Sequence, residues 1–361
     1  MSKPGEQVLA ELPPPDTTRP AAADPIIRTQ LDLCSDQIAA NRKEPMNIGV
    51  VTIVLVIIVF SIDAPQARTI VAGFGGLLLA VWFGRYVCFA RRMHRWGSAA
   101  PELLTQQPWR AIAVTTVARR VVKPHDESRA GHIRVSLDGA ERRLIARTGR
   151  VWVVGPDPAG WLALRLDGGA GIYSARLVHP RAGTPAPTPT PTSGGSATAG
   201  DDPVTSALAR QWAWTHAGWL CGLGLYALAA ALFALLLSRW VPALLLLPLL
   251  LLPALIRIQW WYRVRVGLAL PRRMRTGAWT PVPVTLRPWQ TGPRGWTGNV
   301  TGTIHLDPDH RVEFEMPVAR FDLLDTIDST GTMWVVGQPR PGQTMVVGFP
   351  GYPLLGFARL T

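Results

Sequence analysis

The octapeptide TGRVWVVG at residues 148–155 returns as TGTMWVVG at residues 330–337. A phrase that recurs with its spacing intact constrains the fold more than composition does, because it requires one unit to be built twice. Flanking matches extend it. Arg91-Arg92-Met93 recurs as Arg272-Arg273-Met274, and Trp109 with Val114-Thr115 recurs as Trp279 with Val284-Thr285. Leu137-Asp138-Gly139 is matched to Leu306-Asp307-Pro308, Gly160 to Gly342, and Ala175-Arg176-Leu177 to Ala358-Arg359-Leu360. The chain therefore reads as a tandem duplication. Trp152 and Trp334 are expected to anchor equivalent cores, and Gly155 and Gly337 to open equivalent hairpin loops.

Each copy of the phrase lies among short segments rich in β-branched and aromatic residues, separated by Gly, Pro and Asp. Such segments read as strands. In the first half they are 111–117, 132–137, 150–154, 161–166 and 173–178. In the second they are 282–287, 302–306, 312–316, 332–336, 343–348 and 354–360. Each half is expected to form a small all-β domain, either an SH3- or OB-like barrel or a sandwich.

Ahead of each β-domain stand two apolar runs joined by a short polar turn. The first pair covers 48–62 and 69–90, the second 217–237 and 241–256. An apolar run of roughly 17 residues can cross a bilayer, and the shortest run, 48–62, is marginal by that measure. Trp212, Trp214, Trp240, Trp260, Trp261 and Tyr262 cluster at the run ends, as in an aromatic belt. Only 17% of the chain is charged, below the quarter or so usual for soluble domains. The expectation is an α+β integral membrane protein: four transmembrane helices in two hairpins, each followed by a cytoplasmic β-domain.

The domain boundaries follow. Residues 1–45 read as a disordered tail, with a short helix possible near 25–40, and 46–90 as hairpin 1. β-Domain 1 covers 91–180, a Pro/Thr/Gly/Ser linker 181–207, hairpin 2 208–262, and β-domain 2 263–361. Net charge is +13, with Arg42, Lys43, Arg91, Arg92, Arg210, Arg272 and Arg273 beside the runs. The basicity is read as juxtamembrane rather than as a groove for nucleic acid. The charge distribution predicts a multi-pass plasma-membrane protein with both termini in the cytoplasm. Cys34, Cys88 and Cys221 are too dispersed for a disulfide framework.

Candidate chemistry is sparse. His305, Asp307, Asp309 and His310 could ligate a divalent metal, but an Asp-Pro-Asp turn explains them as well. The segment matched to them lacks both histidines. No nucleophile elbow, zinc-protease or phosphate-loop motif occurs, so no catalytic residue and no cofactor are assigned. Within the runs, Ala72, Gly76, Ala80 and Gly84, and Gly218 with Gly222, form small-residue ridges of the kind that pack helices.

These features resemble uncharacterised multi-pass membrane proteins of high-GC actinobacteria in their Arg-rich juxtamembrane segments, Pro/Thr linker and Trp-containing β-modules. The resemblance covers the general plan and implies no activity. The leading functional expectation is a non-enzymatic scaffold displaying two β-modules at the inner membrane surface. Its expected partners are the lipid bilayer and either another membrane or envelope protein or a second copy of itself. The alternatives are a transport or channel component built from the duplicated hairpin, and a membrane enzyme of unrecognised type.

Overall fold

The computed structural model describes residues 12–41, 99–118, 120–125, 131–169, 171–179, 198–237, 258–289, 300–307, 310–317, 319–340 and 342–361, with isolated positions between 76 and 96. The chain divides into two compact units. One comprises 31–101 and 223–256, and its described residues are almost all helical. The other comprises 1–30, 102–222 and 257–361 and contains both β-domains.

Each β-domain is a closed six-stranded barrel. The first uses β1 (Arg110–Ala118), β2 (Val121–Pro124), β3 (His132–Val135), β4 (Arg150–Val154), β5 (Trp161–Leu166) and β6 (Ile172–Val178). The second uses β7 (Trp279–Leu286), β8 (Val300–Asp307), β9 (His310–Met316), β10 (Thr332–Val336), β11 (Thr344–Gly348) and β12 (Leu355–Leu360). Neighbours are antiparallel throughout, in the order β1-β2-β3-β6-β5-β4 and, equivalently, β7-β8-β9-β12-β11-β10. A helix joins the third and fourth strands of each barrel. α2 (Gly139–Thr148) follows β3, and α5 (Phe321–Thr330) follows β9. Closure removes the sheet edges that would otherwise invite pairing with other chains.

The recurrent octapeptide marks the same junction in both barrels. Thr148 and Thr330 end their helices, and each hydroxyl donates back to the carbonyl four residues earlier, on Leu144 and Thr326. Gly149 and Gly331 both adopt φ 61°, the left-handed cap that only glycine occupies cheaply. Their carbonyls accept from Val114 N and Val284 N at 2.8 and 2.9 Å. The strand then leaves the helix and closes the barrel against β1 or β7.

The match of 137–139 to 306–308 is corrected by the structure. Asp138 is the N-cap of α2, accepting from Ala140 N and Glu141 N, and Glu141 reciprocates on Asp138 N. Asp307 instead pairs with His310 at the β8–β9 hairpin. The counterpart of Asp138 is Arg320, the N-cap of α5. A capping box, Asp138-x-x-Glu141, had the sequence of a helix start.

The four-helix membrane architecture is also corrected. What the structure holds is two barrels with helices packed on them, and among the described residues no helix is long and apolar enough to cross a membrane. The multi-pass and plasma-membrane assignments are overturned by the same finding. The runs at 48–62 and 241–256 lie outside the described residues, as does the linker tract 183–196, and only isolated positions of 69–90 are described. The run at 217–237 is the end of α3 (Pro203–Leu237). That helix begins on the barrels, with Val204, Leu208 and Ala209 buried in their core. α4 (Ile258–Arg273) does the same through Val266 and Leu270, continued by Met274, and Val264 is buried as well. The Arg272-Arg273 doublet ends α4, and Arg273 Nη1 donates to Thr344 O at 2.6 Å.

A single apolar cluster joins the two barrels. It contains the interior of the first (Val114, Ile133, Val151, Leu164), Val204, Leu208 and Ala209 of α3, and Val266 and Leu270 of α4 with Met274. It also contains Val336, Val346, Leu355 and Phe357 of the second. The second barrel's interior forms its own cluster around Ile304, Phe314, Leu324 and Val335. On β11 the alternation is explicit: Met345 and Val347 belong to that interior, whereas Val346 belongs to the shared cluster. A strand buried on both faces reads as a continuous apolar run, as Met345-Val346-Val347 does.

Tyr352 fastens the barrels at close range. A Cβ on Gly168, in the turn between β5 and β6, would lie 2.0 Å from its ring, and Arg147 of α2 stacks on it at 5.0 Å from the centroid. Gly149→Ala should cost about 1–2 kcal/mol, the left-handed penalty alone, since its Cβ would meet nothing within 4 Å. Gly168→Ala, at φ 68°, should lose roughly 1–3 kcal/mol more through overpacking. Tyr352→Ala in the same chain should remove that excess. Equal losses in urea denaturation for the two alanine variants would refute the close packing.

Candidate functional site

The sequence-derived candidates fall in different places. Trp152 and Trp334 are both buried, at 5% and 8% exposure, but in unlike surroundings. Trp334 belongs to the apolar cluster built around the second barrel. Trp152 sits in a polar clamp: its Nε1 donates to Asp167 Oδ1 at 3.0 Å, and Arg150 stacks on its ring while pairing with Asp167 at 2.7 Å. Gly155 and Gly337 both hold positive φ, 103° and 79°. At Gly155 a Cβ would meet Trp161 O at 3.0 Å.

Of the metal candidates, His305 Nε2 lies 3.0 Å from Thr285 Oγ1, Asp307 and His310 form the hairpin end, and Asp309 lies outside the described residues. Among the described residues no group of three or more metal-ligating side chains comes together. Gly76, Ala80 and Gly84 are helical and exposed. A Cβ on Gly76, Gly84 or Gly218 would meet no described atom within 4 Å. Ala72 and the surroundings of Gly222 lie outside the described residues.

Two polar constellations emerge that the sequence did not bring together. The first is a seam of charges at the barrels' junction. Glu141 Oε1 accepts from the Tyr173 hydroxyl at 2.7 Å, and Oε2 accepts from Asp138 N at 2.7 Å. Burial, then the nearby Asp138, raises the Glu141 carboxyl to about 7. Burial pushes the Tyr173 phenol well above its ordinary value, with the Glu141 charge adding to it. From the second barrel, Arg320 brings a compensating charge that acts on both groups. Arg320 is itself paired with the buried Asp322, whose charge raises its proton affinity. Close by, Arg165 pairs with Asp24 at 3.0 Å, and Gln30 Oε1 accepts from Ile172 N at 2.9 Å. These contacts tie the start of α1 (Pro25–Asn41), where Ile27 is fully buried, to the first barrel. Asp325 is raised to about 7 by burial first and by Asp24 second.

The second constellation is a cavity of about 510 Å³ between α2 and α3, lined by Asp138, Gly139, Arg142, Arg143, Ala207, Arg210 and Gln211. α2 turns Ala140, Leu144 and Ile145 into the core, and α3 does the same with Val204, Leu208 and Ala209. The remaining faces of the two helices form the trough. Arg142 Nε donates to Asp138 O at 3.1 Å, and Arg143 Nη1 donates to Pro203 O at 2.8 Å. Desolvation, then the charges of Arg210 and Arg142, lowers the proton affinity of Arg143. The doublet Arg142-Arg143 was visible in the sequence. Its approach to Arg210 was not.

The indole N–H groups of Trp109 and Trp279, matched residues of the two halves, are both buried without an acceptor among the described residues. The chain matches no protein-family model, no curated protein and no solved structure.

The seam predicts a pH dependence with a definite sign. The Asp325 carboxyl is raised in the folded chain from 3.8 to about 7, so the folded state binds that proton more tightly than the unfolded state. The resulting stabilisation is full below the unfolded value and is lost as pH rises through the folded one. Asp325→Asn should match the wild type in Tm near pH 4 and exceed it at pH 8. A Tm difference that stays constant across that range would show that Asp325 is not desolvated.

Proposed function

We propose that this protein is a non-enzymatic docking protein whose two barrels act as one rigid body toward a protein partner. The observation that carries this reading is the apolar cluster shared by both barrels and the helices between them. Two barrels with separate cores would hinge. Barrels that share buried side chains hold a fixed mutual geometry, and a fixed geometry lets a partner be recognised across both at once without the ordering cost of flexible domains. The duplication serves the same end, since it doubles the strand-built surface while conserving the helix-to-strand junction that closes each barrel. The transport alternative depends on four membrane-crossing helices, which the described residues do not supply.

The test is crosslinking and affinity purification of the full chain from its native cells, beside the variant Tyr352→Ala. A protein recovered in fixed stoichiometry, crosslinked to both barrels and weakened in the variant, is the expected result. Crosslinks confined to one barrel, or equal recovery by the variant, would remove the rigid two-barrel reading. Purified chain that carries no partner at fixed stoichiometry would remove docking itself.

A further inference from the structure

We propose that the cavity between α2 and α3 is a binding site for the phosphate groups of a small phosphorylated ligand, held by Arg142, Arg143 and Arg210. This goes beyond the docking reading and rests on different residues.

Three observations carry it. Three guanidiniums line one cavity with a single carboxylate, Asp138. That carboxylate is already engaged, because its Oδ1 accepts from Ala140 N and Glu141 N. The start of α2 is therefore capped from within the chain, and the arginines, not the helix terminus, define the site. None of the three arginines forms an ion pair with a carboxylate among the described residues. Like charges gathered without a counter-charge cost folding free energy, and an arriving anion returns it.

The heads are also pre-positioned. A guanidinium has five N–H donors in a planar fork. One bond to Asp138 O orients Arg142 and one to Pro203 O orients Arg143, leaving the other donors for a ligand. Both anchors are backbone carbonyls, which set direction without neutralising the charge.

The chemistry of the ligand follows from the charge count and the space. A lone carboxylate would match one guanidinium and leave two facing each other. A phosphate or pyrophosphate group carries several charges on oxygens spaced for bidentate contacts with Arg. A cavity of about 510 Å³ is within the range that takes a whole small molecule, roughly 300–1,000 Å³. Gln211 on the same wall offers a neutral donor and acceptor for the part of the ligand beyond its phosphates.

Inorganic pyrophosphate is the probe, titrated calorimetrically into the full chain. Saturable binding is expected in the wild type. Arg143→Gln and Arg210→Gln should each weaken it roughly ten- to hundredfold, the effect of losing charge-assisted hydrogen bonds. Both side chains are exposed, so the fold should survive, and unchanged circular dichroism checks this. Arg210→Lys should fall between, keeping the charge and losing the fork. Arg311→Gln, an exposed position on β9, should bind as the wild type does. Absence of saturable binding, or equal weakening by Arg311→Gln, would overturn the site. A poly-glutamate peptide that competes as strongly as pyrophosphate would overturn the phosphate assignment in favour of an acidic protein segment. None of these outcomes bears on the shared core from which the docking reading is drawn.

Discussion

The structure depends on one constraint: three strands of the second barrel are apolar on both faces. A small closed barrel fills its interior with the side chains of alternate positions. Here the remaining positions, Val336, Val346, Leu355 and Phe357, are apolar as well. Left to water they would be an adhesive patch. They are covered instead by α3, α4 and the first barrel, and the cover is why the duplicated halves cannot be independent beads. It also explains the placing of α3. Its buried face has to reach both barrels, so its opposite face is carried alongside α2, and the arginine-lined cavity is the geometric remainder of that packing.

How much of this could be read from the sequence depends on whether the signal was local. β4, β5 and β10 start and end where β-branched and aromatic runs predict, because strand and turn chemistry is local. The Thr-Gly pair announces a helix end in both halves, yet the helices before it were not anticipated. α2 is rich in arginine and short on apolar residues, though Asp138 and Glu141 had capping-box spacing. α5 had an apolar set at Leu323, Leu324 and Ile327, with helical rather than strand period. β2, with only four residues, had too little pattern to register.

The segments bordering the apolar runs show a physical limit of hydropathy. Hydropathy measures transfer out of water and does not say into what. The start of α3 and Val266 and Leu270 of α4, just outside the runs, leave water for a protein core shared by two barrels. Arg210 shows the same limit from the polar side. Counted along the chain, it flanks an apolar run. In the fold it meets Arg142 and Arg143, contributed by another helix, and no spacing rule connects them.

The duplicated helices show where the two halves have been kept alike and where they have parted. Five residues before the matching Thr148 and Thr330 stand Arg143 and Asp325. Leu144 and Thr326, and Ile145 and Ile327, follow at equivalent inward positions and are buried in both copies. The junction geometry is likewise retained, down to the left-handed glycine and the back-bonded threonine. The position between N-cap and core carries residues of opposite charge type in the two copies: an arginine on α2, where it lines a cavity, and an aspartate on α5, where it joins the seam beside Asp24. Burial makes the charged form less favourable at both positions, although Arg143 stays exposed. The interior of the repeat thus fixes the barrel, while its helix faces have taken separate electrostatic roles: one copy gathers uncompensated positive charge, and the other turns its acid inward to the junction of the barrels.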